Sequence, residues 1–290
     1  MVVRDGDHPE APLEVLMVRR SLVADFVGGA HVFPGGAVDD LDGMAHAPAS
    51  CVGLDDGAAS RRLGVASGGL AFWVAAIREC FEEAGILLAR RVSDGAPVAM
   101  SEPGVAERFA EHRRAINERR TTFLAICEQE RIGPAAADLH YFAHWITPEG
   151  PPRRYDTRFF VAQAPSDQTA VHDEGETIAS VWVRPADALA RHRAGTMELI
   201  LPTIRNLQAI GRFETAAALL DAAASMDAVP AILPRLVPGD GGLRLVLPGE
   251  AGYEAADAAL PTDFDAVARA ASRAANPDPE RGSVPSQGAS

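Results

Sequence analysis

The chain has few cysteines and no long apolar run. Cys51, Cys80 and Cys127 are the only three, and no two of them are spaced as CxxC. An odd, sparse set does not form the disulfide framework of a small secreted domain, so we expect free thiols in a reducing compartment. No apolar run reaches the roughly 18 residues that a membrane span needs. The first ten residues lack the apolar core of a signal peptide. We therefore expect a cytoplasmic protein with no membrane partner.

Basic residues are also scarce. The 290 residues include 27 Lys and Arg against 40 Asp and Glu, for a formal net charge of -13. A surface this acidic repels phosphate backbones, which argues against nucleic acid as a partner. A small phosphorylated molecule would bind such a chain only if a cation supplied most of the local positive charge.

The most informative stretch is AAIRECFEEAGI at residues 75–86. Its spacing predicts a helix on which Glu79, Glu82 and Glu83, at i, i+3 and i+4, share one face. Gly85 follows the last carboxylate, where a helix commonly ends in a left-handed turn. Like charges on one face repel, and a divalent cation with hard oxygen ligands would relieve that repulsion. The alternative is a solvated acidic face without a ligand.

A second motif, FPGG at residues 33–36, precedes this helix and predicts a glycine turn with accessible backbone carbonyls. Together the two motifs resemble the halves of the Nudix box. The second half matches at every fixed position, which are Arg78, Glu79, Cys80, Glu82, Glu83, Gly85 and Ile86. The first half matches at its glycines. Asp42 stands where the pattern has its first glutamate, Asp39 and Asp40 compete for the same role, and 35 residues (43–77) replace a short spacer.

A box split in this way resembles one branch of the Nudix superfamily, which includes a mammalian peroxisomal coenzyme A diphosphatase and many bacterial relatives. Residues 144–162 and 198–210 also resemble that branch, and the resemblance covers roughly residues 13 to 215. It implies an α/β fold, an α/β/α sandwich around a mixed sheet with inserted helices and a C-terminal helical extension. It implies hydrolysis of the diphosphate bond of a nucleoside diphosphate linked to another moiety, and coenzyme A or acyl-coenzyme A is the favoured substrate. ADP-ribose or NADH cleavage and a non-catalytic nucleotide-binding module remain alternatives.

The resemblance also implies roles for the residues of the box. Glu82 and Glu83 would hold Mg²⁺ or Mn²⁺, together with the backbone carbonyl of Gly35. Glu79 would be either a further ligand or the base for the attacking water. Arg78 would orient a glutamate rather than touch the substrate.

Residues outside the box are candidates as well. Glu174 and Glu176 lie in an acidic loop from which, in the family, a glutamate reaches the metals or serves as base. Arg20 leaves a predicted strand near the expected substrate edge, although a solvated arginine is the alternative. Arg154 and Arg158 are candidates for the 3′-phosphate of coenzyme A, with pairing to nearby surface acids as the alternative.

Periodicity and turn residues predict the remaining elements. Predicted strands cover 13–19, 32–33, 139–147, 155–164 and 178–183. Predicted helices cover 58–63, a segment that begins at 70, and 185–194. Residues 104–132 are predicted to form one helix or two, ended by Gly133-Pro134, and residues 199–226 two helices with a break near Gly211. Residues 233–236 and 243–247 predict a hairpin. We expect a Nudix domain at 1–200 with insertions at 43–69 and about 97–138, a C-terminal extension at 201–275 and a disordered tail at 276–290. The segment 104–132 is expected to cover the cleft or to form a homodimer contact.

Overall fold

The computed structural model describes residues 1–21, 28–44, 51–149, 154–173, 177–239 and 242–254. Its strands are β1 (Val2–Asp5), β2 (Leu13–Arg20), β3 (His31–Val32), β4 (Ala89–Arg91), β5 (Ile132–Pro134), β6 (His140–Ile146), β7 (Asp156–Gln163), β8 (Thr177–Val183), β9 (Ala231–Ile232), β10 (Arg235–Gly239) and β11 (Gly242–Val246). Its helices are α1 (Asp56–Leu63), α2 (Leu70–Ala84), α3 (Val105–Asn117), α4 (Phe123–Glu130), α5 (Pro185–Arg193), α6 (Leu201–Ile210) and α7 (Ala216–Ala224). Short 3₁₀ turns cover Asp40–Met44 and Ala136–Asp138.

One mixed sheet lies at the centre of the described structure. Its strand order is β3-β2-β1-β7-β6-β9, and β8 also pairs with β2. The pairs β1–β7 and β6–β9 are parallel, whereas the ladders of β2 with β1, β3 and β8 and the β6–β7 ladder are antiparallel. Because β2 has neighbours on both edges and helices over both faces, its apolar run is buried on both sides.

Two apolar clusters show the layers. On one face, Leu16 and Phe160 of the sheet pack with Trp73, Ile77 and Phe81 of α2. On the other face, strand residues of β1, β2 and β7 pack with Ile204, Leu207, Ile210 and Leu219 of α6 and α7, and with Ala188 of α5. The predicted α/β/α sandwich around a mixed sheet is therefore confirmed, and each fully buried Leu, Ile or Phe stabilises it by roughly 1.5–3 kcal/mol.

Most elements lie within one or two residues of the predicted ranges, including the break between α6 and α7 near Gly211. The predicted hairpin is present as β10–β11, with β10 two to three residues later than predicted. The prediction that Gly133-Pro134 ends a helix was wrong. α4 ends at Glu130 because Arg131 takes a left-handed conformation, with φ of 53°, and residues 132–134 then pair with β4 as β5. β1, β4 and β9 were not predicted, since two to four residues are too short to show a period.

The C-terminal part of the described chain is packed onto the sheet. Leu207 and Leu219 of α6 and α7 are fully buried against it, and β9 adds to the edge of β6. The expected tail at 276–290 lies outside the described residues, and the domain boundaries stay a prediction. In the part of the chain that the structure describes, no helix has the length and apolarity to cross a membrane.

Candidate active site

Helix α2 carries the three glutamates, and both of its ends are fixed by specific contacts. At its start, the Asp56 carboxylate of α1 accepts the backbone N–H of Leu70 at 3.0 Å and that of Gly68 at 3.0 Å. At its end, Gly85 adopts φ of 69° and its N–H bonds to the Phe81 carbonyl. The insertion that splits the box therefore caps the helix that carries the carboxylates.

The glycine loop lies directly against this helix. The Gly35 N–H donates to the Glu83 carboxylate at 2.9 Å, and Glu83 is only 4% exposed. A Cβ on Gly36 would stand 2.4 Å from an oxygen of Glu79, so this position admits no side chain while Glu79 stays in place. The two halves of the motif, far apart in sequence, therefore meet through Glu79 and Glu83.

The first residue of β8, Thr177, contacts the backbone of helix α2 at Glu83. The one proton of the Thr177 hydroxyl is shared between two acceptors, the Asp173 carboxylate at 2.6 Å and the backbone carbonyl of Glu83 at 3.2 Å. The Thr177 N–H also donates to Asp173, at 2.8 Å. Thr177 is completely buried, so the residues that flank the acidic loop are held close to Glu83.

Arg78 connects most of the acidic groups. Its guanidinium donates to both oxygens of Asp42 at 2.9 Å, to Glu79 at 2.8 Å and to Glu82 at 3.2 Å. It also donates to the carbonyl of Ala37 at 2.9 Å. Because its side chain is only 10% exposed, these bonds form largely away from water, where charge-assisted hydrogen bonds are strong. The guanidinium therefore holds the carboxylates of Glu79 and Glu82, and its role in the reaction stays a prediction.

Three aspartates competed for the first acidic position, and their surroundings differ. Asp42 is 2% exposed and binds Arg78 with both oxygens. The Asp39 side chain is 66% exposed and its carboxylate lies 3.7 Å from Arg78. Asp40 is exposed at the start of the 3₁₀ turn. Asp42 is thus the acid that the fold buries against Arg78.

The site is strongly acidic. Asp42, Glu79 and Glu82 share the guanidinium of Arg78, and Glu83 lies beside Glu82 on α2. Burial raises the pKa of Glu82 to about 7, although Arg78 acts in the opposite direction. Such a concentration of carboxylates favours a bound cation.

Arg113 of α3 lies at the end of α2. Its Nε donates to the backbone carbonyl of Glu82 at 2.9 Å, which satisfies a carbonyl at the negative end of the helix. Burial lowers the pKa of Arg113, whereas Asp173 and Glu83 raise it. No sequence signal distinguished Arg113 from its neighbours, because the contact depends on how α3 packs on α2.

The candidate residues outside the box lie in different parts of the structure. Arg20 stands opposite Thr177 in the β2–β8 ladder, beside the contact of Thr177 with Glu83. Arg158 lies over the ring of Phe72 on α2, at 4.4 Å. Arg154 is exposed and donates to the carbonyl of Thr147. Glu174 and Glu176 lie outside the described residues.

Among the described residues, no three or more His, Cys, Asp or Glu side chains converge as a ready metal cluster. One oxygen of Glu79 and one of Glu82 face Arg78, and one of Glu83 faces the Gly35 amide. A shared ion would therefore require one or more of these side chains to turn.

Comparison with known proteins identifies the family. The NUDT19 Nudix domain model matches residues 55–210, more than half of the chain. Acyl-coenzyme A diphosphatase NUDT19 of Gallus gallus is 29% identical over 274 residues, which cover 83% of this chain and 72% of that protein. The Homo sapiens protein of the same name is 26% identical, with 84% and 73% covered. The crystal structure of a Nudix hydrolase from Alicyclobacillus acidocaldarius superposes with a TM-score of 0.56 at 26% identity, over 76% of this chain and 92% of that chain. The chain therefore belongs to the Nudix hydrolases, in the family of the NUDT19 Nudix domain.

Proposed function

We propose that this protein hydrolyses the diphosphate bond of coenzyme A or acyl-coenzyme A with the help of Mg²⁺ or Mn²⁺. The observation that carries the proposal is the group of carboxylates around Arg78 at the end of α2, against the glycine loop. The chicken and human relatives, both called acyl-coenzyme A diphosphatases, support coenzyme A compounds as the substrate.

The donor set fits a hard divalent cation. Glu79, Glu82 and Glu83 offer carboxylate oxygens on consecutive turns of one helix, and the loop at Gly35 brings bare backbone against them. We propose that Glu82, Glu83 and the Gly35 carbonyl hold Mg²⁺ or Mn²⁺, with Glu79 either as a further ligand or as the base. When bound, the cation neutralises the diphosphate and lowers the pKa of bound water.

The chain's own groups then divide the remaining work. Arg78 fixes the orientation of Glu79 and Glu82, and Asp42 in turn fixes Arg78. Glu79 accepts the proton of the attacking water, or else serves as a further ligand while Glu174 acts as base. Positioning and charge neutralisation contribute most of the rate in such a reaction.

Arginines contact the substrate in this proposal. The Nε of Arg20 is buried and has no hydrogen-bond partner among the described residues, and its strand neighbour Thr177 bonds to Glu83. We assign Arg20 to a diphosphate oxygen. Arg154 is exposed at the end of the β6–β7 connection, so its side chain is accessible to an anionic group of the substrate.

Several features remain predictions. The sparse cysteines favour the cytoplasm, and the acidic charge argues against nucleic acid as a partner. The paired helices α3 and α4 are proposed to cover the cleft or to form a homodimer contact. The division of the chain into a domain at 1–200 and an extension at 201–275 is likewise a prediction.

A substrate panel tests the proposal. Coenzyme A, acetyl-coenzyme A, ADP-ribose, NADH and a nucleoside triphosphate would be incubated with Mg²⁺ or Mn²⁺ and the products weighed by mass spectrometry. We expect the coenzyme A compounds to react fastest, releasing a phosphopantetheine and adenosine 3′,5′-bisphosphate. A Glu82→Gln variant purified in parallel should lose this activity, which excludes a contaminating hydrolase. A clear preference for ADP-ribose or NADH would overturn the coenzyme A assignment, and nucleotide binding without turnover would indicate a binding module.

A further inference from the structure

A second polar cluster lies on the α2 side of the sheet, away from the carboxylates. Arg158 of β7 stands opposite His144 of β6, and its side chain is only 9% exposed. The guanidinium stacks 4.4 Å over the ring of Phe72 and donates to the Asp156 carboxylate at 3.1 Å. The ring of Tyr141 lies 6.4 Å from that of His144. None of these side chains contacts Arg78 or its glutamates in the hydrogen bonds of the described residues.

Two buried polar atoms of this cluster, the Nε of Arg158 and the hydroxyl of Tyr141, make no hydrogen bond of good geometry within the described part of the chain. Arg158 nevertheless lies close enough to the Tyr141 hydroxyl to act on it as a hydrogen-bonding neighbour. Folded proteins satisfy about 90% or more of their buried polar groups, and an unsatisfied one costs roughly 1–3 kcal/mol. Burial raises the pKa of Tyr141, while Arg158 acts in the opposite direction, so the hydroxyl stays protonated at neutral pH. Both atoms are therefore hydrogen-bond donors that a bound acceptor would satisfy.

Helix α2 connects this cluster to the carboxylates. Phe72, Ala76 and Glu79 fall at i, i+4 and i+7 and so lie on one face. All three are partly exposed, whereas their neighbours Trp73 and Ile77 are fully buried. Seven residues of helix span about 10 Å. A substrate cleaved at Glu79 could thus extend along this stripe to Arg158.

The charges of the cluster suit an anion. His144 and Arg158 share one carboxylate, that of Asp156, and both basic side chains are nearly buried. Asp156 is 53% exposed, so it is the member of the cluster that can turn away into water. A phosphate monoester offers more acceptor oxygens than a carboxylate, and a planar guanidinium suits it.

We propose that Arg158, Tyr141 and His144 bind a phosphate monoester that is separate from the cleaved diphosphate, and that in a coenzyme A substrate this group is the 3′-phosphate. The identification of that group rests on the proposed function. Arg158 is then a specificity residue that distinguishes coenzyme A from its 3′-dephospho form.

Binding of two product-like probes tests the inference without turnover. Adenosine 3′,5′-bisphosphate and AMP would be titrated calorimetrically into the full chain. We expect wild-type protein to bind the bisphosphate about 10-fold or more tightly than AMP, the scale of one charge-assisted contact. Arg158→Gln should bring the two affinities within about 2-fold of each other. Arg4→Gln is the matched control, because Arg4 also stacks on an aromatic ring, 4.2 Å over Trp182, and pairs with Glu14. Its discrimination should equal that of wild type.

Tyr141→Phe separates binding from structure. Within the described residues the hydroxyl makes no hydrogen bond of good geometry and has Arg158 as its polar neighbour, so its removal should change the melting temperature little. The same change should weaken bisphosphate binding while leaving AMP binding as it was. This variant also tests the inference if Arg158→Gln does not fold.

Kinetics separate failure of the inference from failure of the proposed function. With coenzyme A and 3′-dephospho-coenzyme A as substrates, Arg158→Gln should raise KM for the first alone. Equal losses on both substrates, or equal wild-type affinity for the two probes, would overturn the inference and leave the diphosphatase assignment intact. If wild type hydrolyses neither substrate, the proposed function fails, whereas discrimination between the probes would still support the phosphate site.

Discussion

Replacing Asp42 tests the arrangement around Arg78 most directly. The Asp42 carboxylate accepts two hydrogen bonds of 2.9 Å from Arg78 and one of 2.8 Å from the backbone N–H of Asp39. Asp42→Asn keeps the size of the side chain but removes its charge. It also replaces one acceptor oxygen with an amide group that can only donate. We therefore expect both a weaker fold and a misplaced Arg78.

The magnitude follows from burial. A hydrogen bond to a charged group contributes about 1.5–3 kcal/mol, and removal of one partner of a buried ion pair costs about 3–5 kcal/mol. Arg78 keeps its bonds to Glu79 and Glu82, and the amide keeps one acceptor, so part of that cost is avoided. We expect the free energy of unfolding to fall by about 2–4 kcal/mol. With a shift of about 2–4 °C per kcal/mol for a domain of this size, Tm should fall by roughly 4–16 °C.

Asp39→Asn is the matched control. Asp39 is 66% exposed and lies 3.7 Å from Arg78, and an exposed pair of this kind contributes about 1 kcal/mol at most. Both variants would be unfolded with urea and with heat in excess chelator, followed by circular dichroism, so that metal binding adds nothing. Equal destabilisation by the two changes, or an Asp42→Asn protein within about 0.5 kcal/mol of wild type, would refute the assignment of Asp42 as the acid that fixes Arg78.

Other predictions concern the same site. Glu83→Gln should keep the circular dichroism spectrum of wild type, and its stability without metal should be equal or slightly higher because one charge repulsion is gone. Its kcat should fall by more than the roughly 10–100-fold that is typical of residues that only support a ligand. A kcat near that of wild type would exclude Glu83 as a ligand. Gly36→Ala should lower kcat by about 100-fold, because its Cβ would stand 2.4 Å from a Glu79 oxygen. Gly43→Ala, where nothing lies within 4 Å, should be silent in the same assay. Excess chelator should abolish turnover and Mg²⁺ or Mn²⁺ should restore it, so full activity in chelator would exclude the proposed metal site. Light scattering decides the role of α3 and α4, since a strict monomer leaves only a cover over the cleft.

The sequence alone predicted the elements whose signals are local. The period of residues 70–84 and the glycine after them predicted α2 and its end, and the i, i+3, i+4 spacing predicted that Glu79, Glu82 and Glu83 share a face. The longer strands and the hairpin β10–β11 followed from alternation and turn residues. These features depend on residues within a few positions of one another, which is why they could be predicted without coordinates.

Contacts between distant segments were decided only by the tertiary structure. Spacing could not choose among Asp39, Asp40 and Asp42, because an intervening insertion leaves the distance to Arg78 open. The fold makes the choice by burying Asp42. The contact of Arg113 with the end of α2 likewise depends on how two helices pack. The shortest strands form because a neighbouring strand supplies their hydrogen bonds, a partner that their own few residues cannot specify.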